Sequence, residues 1–261
     1  MAKVYNQDMS FVDVHFHLVP SVELCGKNSV LDFYGTENFA ITCAHSPQEF
    51  QKQDLFIQEN GLEKNIIQAF GIHPQMPLIS FAGHLEMLLK EKRVSAIGET
   101  GFDFFTEEYR LKQAEQLESF LACLELGVVY SVPLVVHDRK ALDILFSYTG
   151  LLKKLPFVLF HSFAFSSVEA RSILSHGVNA YFSFSKQILN GNKKALSCMA
   201  DLSLDRLFME TDAPYQTLKG ESTTLPSEIT RVYEEGARIK KMSLDSFCQK
   251  TRDNFKFLFG L

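Results

Sequence analysis

Eight short apolar runs recur along the chain, each followed by a longer stretch patterned like a helix, and this alternation limits the folds available. The runs are Val12–His17, Phe39–Ala44, Ile66–Ile72, Val94–Glu99, Pro133–His137, Val158–His161, Val178–Ser183 and Arg206–Glu210. Their starts lie roughly 20 to 40 residues apart, the spacing of strand-plus-helix units. Glu107–Leu126 is the clearest helix, with Leu111, Ala114, Leu117, Leu121 and Leu124 spaced by three or four and Gly127 placed to end it. Pro47–Glu59, Phe81–Lys92, Ser167–Ser175, Asn192–Ala200, Pro226–Lys240 and Ser243–Phe259 read the same way, whereas Ser21–Thr36 has no clear pattern.

Eight alternations in 261 residues predict an α/β chain folded as a (β/α)8 TIM barrel, one domain over residues 1–261. The rival is a doubly wound open sheet, which usually carries a glycine-rich phosphate loop after its first strand. Here His15-x-His17 occupies that place, so the barrel is preferred. With 46% hydrophobic residues the chain can bury a large core. A net charge of −5 argues against wrapping duplex DNA by electrostatics, a mode that neutralises many phosphates. It leaves room for a small pocket that meets one phosphate.

The five cysteines, Cys25, Cys43, Cys123, Cys198 and Cys248, are odd in number and lack C-x-x-C spacing, which points to a reducing compartment. "MAKVYNQDMS" lacks the apolar run of a signal peptide, and no stretch approaches the roughly 20 apolar residues of a membrane span. A soluble, cytoplasmic chain is expected, with no membrane and no obligatory protein partner.

The first run, "FVDVHFHLVP", alternates: Val12, Val14, Phe16 and Leu18 point one way, Asp13, His15 and His17 the other. Two imidazoles and a carboxylate on one face suit a rigid nitrogen-ligand site. Barrel active sites lie at the C-terminal strand ends, and there the other runs also end in polar chemistry. "GIHP" carries His73, "AIGETGFD" Glu99, "VVHDR" His137, "LFHS" His161 and "METDAP" Glu210 and Asp212. A single histidine or acid at a strand end is more often a hydrogen-bonded loop residue or a helix cap. Four histidines and two carboxylates on one rim are hard to obtain that way, and a metal centre is expected. His84 and His176 fall in expected helices and His45 in a strand–helix loop, so these three are set apart.

The ordered motifs "VDVHFHL", "GIHP", "AIGETGFD", "PLVVHDRKA", "FHSF", "YFSFS", "METDAP" and the ending "TRDNFKFLFG" resemble the TatD family of metal-dependent deoxyribonucleases, within the amidohydrolase-like barrels. The resemblance spans nearly the whole chain and implies two divalent ions, zinc, manganese or magnesium. It places His15, His17 and Asp212 on one ion and His137 and His161 on the other, with Glu99 bridging. Two clamped ions suit in-line displacement at phosphorus, with water activated at neutral pH. Asp212 then doubles as general base, Glu210 gives buried support, and Arg139 and His73 meet substrate. Asp103 orients His137 or His73.

The implied function is a phosphodiesterase trimming single-stranded DNA. The alternatives are hydrolysis of another phosphoester, an ester such as that of aminoacyl-tRNA, or an amide on the same barrel, and a non-catalytic descendant. Phe102, Phe104, Phe105 and Tyr215 are candidates for stacking on bases. The chain departs from the family pattern at Val19, at Ala164 and Phe165, and around Pro226, all expected in loops that shape the substrate cleft.

Overall fold

The eight expected strands form, and they lie in one parallel sheet in chain order. In a computed structural model that describes residues 9–261, β1 spans Val12–Phe16, β2 Phe39–Ala44, β3 Ile66–Phe70 and β4 Ala96–Asp103. The remaining strands are β5 Leu134–Arg139, β6 Val158–Phe160, β7 Ala180–Phe184 and β8 Leu207–Met209. Just past β8 the chain returns to β1: the Asp212 N–H donates to the His15 carbonyl at 2.9 Å, and the His17 N–H to the Ala213 carbonyl at 2.8 Å. With helices between consecutive strands, this is a (β/α)8 TIM barrel. The expectation for the first eight residues lies outside the described residues. Among the described residues no helix is long and apolar enough to cross a membrane.

Strand periodicity explains the layering. Every strand sends apolar residues into the barrel: Val12 and Val14, Ile41 and Cys43, Ala69, Ala96, Val135, Leu159, Tyr181 and Phe208 form one buried cluster. A larger cluster fills the space between sheet and helices, with Phe70, Ile97, Val136, Phe160, Phe182 and Met209 facing outward against Phe120, Leu124, Met199 and Tyr233. Side chains alternate along a strand, so the position two residues past each interior residue tops the apolar floor. From Val135 that step reaches His137, from Leu159 His161, and from Phe208 Glu210.

β1 departs from simple alternation. Asp13 and Phe16, three apart on β1, pair with Ala40 and Thr42, two apart on β2, so one residue is bulged out between them. Asp13 therefore does not share a face with His15 and His17, as the sequence pattern implied. It turns to the Tyr34 hydroxyl, which donates to Oδ2 at 2.7 Å, and to the Thr211 N–H and hydroxyl, which donate at 2.9 and 2.6 Å. Burial, opposed by these bonds, pushes the Asp13 carboxyl up to about 7.

Three other expectations are revised. Ser21–Thr36 folds as two short helices, Leu18–Cys25 and Lys27–Tyr34, parted by Gly26 at φ 87°. The helix expected to stop at Gly127 breaks at Lys112 instead, then runs from Gln113 to Tyr130 and ends at Ser131 in the left-handed region. Gly127 serves packing: a Cβ there would meet Leu134 Cδ1 at 2.6 Å. Phe102 and Phe104 are core residues, and only Phe105 and Tyr215 of the four candidate stacking aromatics are exposed.

β4 continues past Glu99, and Gly101, Phe102 and Asp103 pair with His137, Asp138 and Arg139. The approach is tight, since a Cβ on Gly101 would lie 2.1 Å from the His137 carbonyl oxygen, and Gly101 holds φ 137°. Gly101→Ala is expected to cost about 1–3 kcal/mol by overpacking, read as a lowered Tm, and to push His137 away from Glu99.

Candidate metal centre

Glu99 sits at the middle of the C-terminal rim, 2% exposed, with imidazoles on both of its oxygens. Oε2 faces His15 Nε2 at 3.1 Å, His17 Nε2 at 3.4 Å and His45 Nε2 at 3.4 Å. Oε1 faces His161 Nε2 at 2.7 Å, His137 Nδ1 at 2.9 Å and His73 Nε2 at 3.4 Å. Asp212, at φ 56°, brings Oδ1 to 3.2 Å from His17 Nε2 and 3.5 Å from His15 Nε2. All six residues expected as ligands thus converge, and His73 joins them.

His45 is the residue that sequence reasoning set aside. Its signal was present: Ile41 and Cys43 point into the barrel, and two more residues along β2 brings His45 onto the rim. The backbone there is fixed by the His45 N–H, which donates to Glu49 Oε2 at 2.8 Å, and by Ser46, which caps the helix Pro47–Glu59.

Outer partners set several of the ring orientations. His137 turns Nε2 to Asp103 Oδ2 at 3.2 Å, leaving Nδ1 for Glu99. Asp103 also accepts from Gln75 Nε2 at 2.8 Å and from the Phe105 N–H at 2.9 Å. Of the two readings for Asp103, it is His137 that it orients. His161 Nδ1 lies 3.6 Å from Glu210 Oε1, and Glu210 accepts from the Ser183 hydroxyl at 2.5 Å. His15 Nδ1 has Cys43 Sγ at 3.6 Å. The Gln75 N–H donates to His73 Nδ1 at 3.2 Å, so the neutral His73 ring carries its proton on Nε2.

Burial alone would raise the Glu99 carboxyl, but His161, His15 and His73 around it hold it well below the usual range. His161 is raised well above its ordinary value against burial, by Glu99 and Glu210. Burial lowers His15 and takes His73 down to about 3.

The donor set fits divalent cations. A carboxylate offers about four lone-pair sites, yet six imidazole nitrogens crowd Glu99 at 2.7 to 3.4 Å. His15 Nε2 is buried with no hydrogen-bond partner although two carboxylates lie beside it. Ligand atoms of His15, His17 and Asp212 all lie within 4.8 Å of one another, as do those of His15, Glu99 and His161. Unpaired nitrogens facing carboxylates in a dry site are the chemistry of a metal centre.

The centre opens into a cleft of about 1250 Å³. Arg139 lines it, with its guanidinium 4.0 Å over the Phe105 ring and 3.8 Å from Asp103. Lys140, Lys194, Tyr109 and Tyr215 line it too. Of the departures noted above, Ala164 and Phe165 form part of the wall. Val19 and Pro226 do not line this cleft: Val19 sits in the first turn of Leu18–Cys25, and Pro226 opens the buried start of the turn Pro226–Glu228. The segment after Asp212 is tied down by Gln216, which bonds Ser162 and Ser185, and by Glu221 and Glu228, which meet the buried Lys186 ammonium.

A TIM barrel with buried histidines and carboxylates converging at its C-terminal rim defines a metal-dependent hydrolase. The model of the TatD related DNase family matches residues 12–260, and the chain belongs to that family. It is 30% identical over 212 residues to YcfH of Escherichia coli K12, named an uncharacterized metal-dependent hydrolase, covering 77% of this chain and 76% of that protein. A 152-residue stretch is 33% identical to the 3′-5′ ssDNA/RNA exonuclease TatD of Cronobacter turicensis, 56% of each chain. Among solved structures, the TatD homologue YjjV of Escherichia coli K12 superposes with a TM-score of 0.83 at 23% identity, covering 96% of this chain and 98% of that one.

Asp103→Asn removes the charge that fixes His137, and divalent-ion affinity is expected to fall by about 10–100-fold. Titration against a chromophoric chelator measures this, and an unchanged affinity would remove the orienting role of Asp103.

Proposed function

We propose that the chain is a divalent-metal-dependent phosphodiesterase that trims single-stranded DNA. His15, His17 and Asp212 would hold one ion and His137 and His161 the other, with Glu99 available to both. The ions are zinc, manganese or magnesium, since imidazole suits the first and carboxylate the other two. The observation that carries this reading is the division of Glu99, with imidazoles on each oxygen. When bound, such ions lower the pKa of water and neutralise charge on a phosphoryl group.

The chain's own residues do the rest. Asp212 lies at the cleft edge, and although burial would raise its carboxyl, His17 and His15 hold it below the usual range. It is ionised and placed to take a proton from the attacking water. His73, with its proton on Nε2, donates to a phosphoryl oxygen. Arg139 stands farther out, its fork directed by the Phe105 ring beneath it, and suits a neighbouring phosphate. The exonuclease relative supports single-stranded nucleic acid as substrate, and a cleft of about 1250 Å³ has room for more than a small ester.

Labelled single-stranded oligonucleotide incubated with Mg²⁺, Mn²⁺ or Zn²⁺ is expected to shorten. Asp212→Asn is expected to lower kcat by about 100-fold or more with the strand still bound. No cleavage with any of the three metals removes the proposal. Hydrolysis of an ester or amide dye in preference to a phosphodiester dye would move the substrate elsewhere on the same barrel.

A further inference from the structure

We propose that His45 Nε2 is a further protein ligand of the divalent ion on the Oε2 side of Glu99, so that His15, His17 and His45 join Asp212 and Glu99 there. This rests on the two-ion reading above.

His45 differs from every other imidazole around Glu99 in one respect that bears on its role. Both of its ring nitrogens are buried with no hydrogen-bond partner, although the side chain is 13% exposed at the cleft margin. Nε2 is nevertheless aimed at Glu99 Oε2 at 3.4 Å, on the oxygen that His15 and His17 also face. Ligand atoms of His17, His45 and Glu99 lie within 4.8 Å of one another. The backbone bond to Glu49 holds the residue in place, so the ring's position follows from the fold. A buried nitrogen lone pair facing a carboxylate is repelled unless a cation or a proton lies between them.

His73 is the internal contrast. It faces the opposite oxygen at the same 3.4 Å, and its ring lies 4.9 Å from that of His45, centroid to centroid. Its Nδ1 is taken by the Gln75 N–H, which puts the proton on Nε2 and makes that atom a donor, not a ligand. Nothing comparable fixes the tautomer of His45, whose Nε2 is free to present a lone pair. The two sides of Glu99 are therefore unequal. One offers three ligand imidazoles and Asp212, the other two ligand imidazoles and a hydrogen-bond donor. Five protein ligands favour an ion that accepts more than four, such as Mn²⁺ or Co²⁺, on the richer side.

The test uses the full chain stripped with a chelator and titrated with Co²⁺ against a chromophoric competitor. The unaltered chain is expected to take up two ions. His45→Ala and His45→Gln should each weaken one of the two by at least about tenfold and leave the other, while His73→Ala should leave both within about twofold. The Tm of the metal-free chain should not fall in His45→Ala, whereas the rise in Tm on adding Co²⁺ should shrink. Two sites with unchanged dissociation constants in both His45 variants would overturn this inference and leave the two-ion reading standing. Uptake of no ion by the unaltered chain would overturn both.

Discussion

The centre depends on keeping one nearly buried carboxylate charged. Glu99 is buried at the top of the barrel, and burial alone would drive it neutral. Imidazoles supplied by β1, β3, β5 and β6, or by the residues just beyond them, oppose that tendency. The apolar floor drawn from all eight strands makes the rim rigid enough to hold them. The same crowding explains the outer ring of Asp103, Glu210, Ser183 and Gln75, because tightly clustered rings work together only if each one's orientation is set.

Much of this was legible in the sequence. Strand count, chain order and the rim positions of His15, His17, Glu99, His137, His161 and Asp212 follow from periodicity and from where polar residues end apolar runs. His45 was misjudged because a position in a loop outweighed its parity with Ile41 and Cys43. Asp13 was misplaced for a different reason: a bulge depends on how two strands pair, and nothing within "FVDVHF" records the pairing. Gly127 was read as a stop signal, while its actual constraint is the Leu134 side chain on a neighbouring strand. The misreadings of Asp13 and Gly127 have a common source. Local patterns report what a segment does alone, and these residues answer to partners distant in sequence.

The family assignment supports hydrolysis by a metal centre, and the structural likeness supports the barrel. Substrate choice belongs to the walls, and there the chain is its own case. Ala164 and Phe165, where the chain departs from the family pattern, present apolar surface, and the segment after Asp212 is anchored by Lys186 beneath it. A buried ammonium held by two carboxylates is costly to strip of either partner, so that side of the cleft is a fixed boundary. Elsewhere in the lining, Arg139 and Lys140 each lie over the exposed Phe105 ring.

The extra residue in β1 lies between Asp13 and Phe16. Because Val14 and His15 together stand opposite Ile41 alone, both turn inward, one into the apolar floor and the other onto the rim. Removing one residue from that interval would restore plain alternation and leave Phe16 and His17 on their present faces, but only one of Val14 and His15 would remain to face inward. Losing the extra residue would therefore cost the chain either a piece of its floor or a ligand, while the rest of the strand kept its faces.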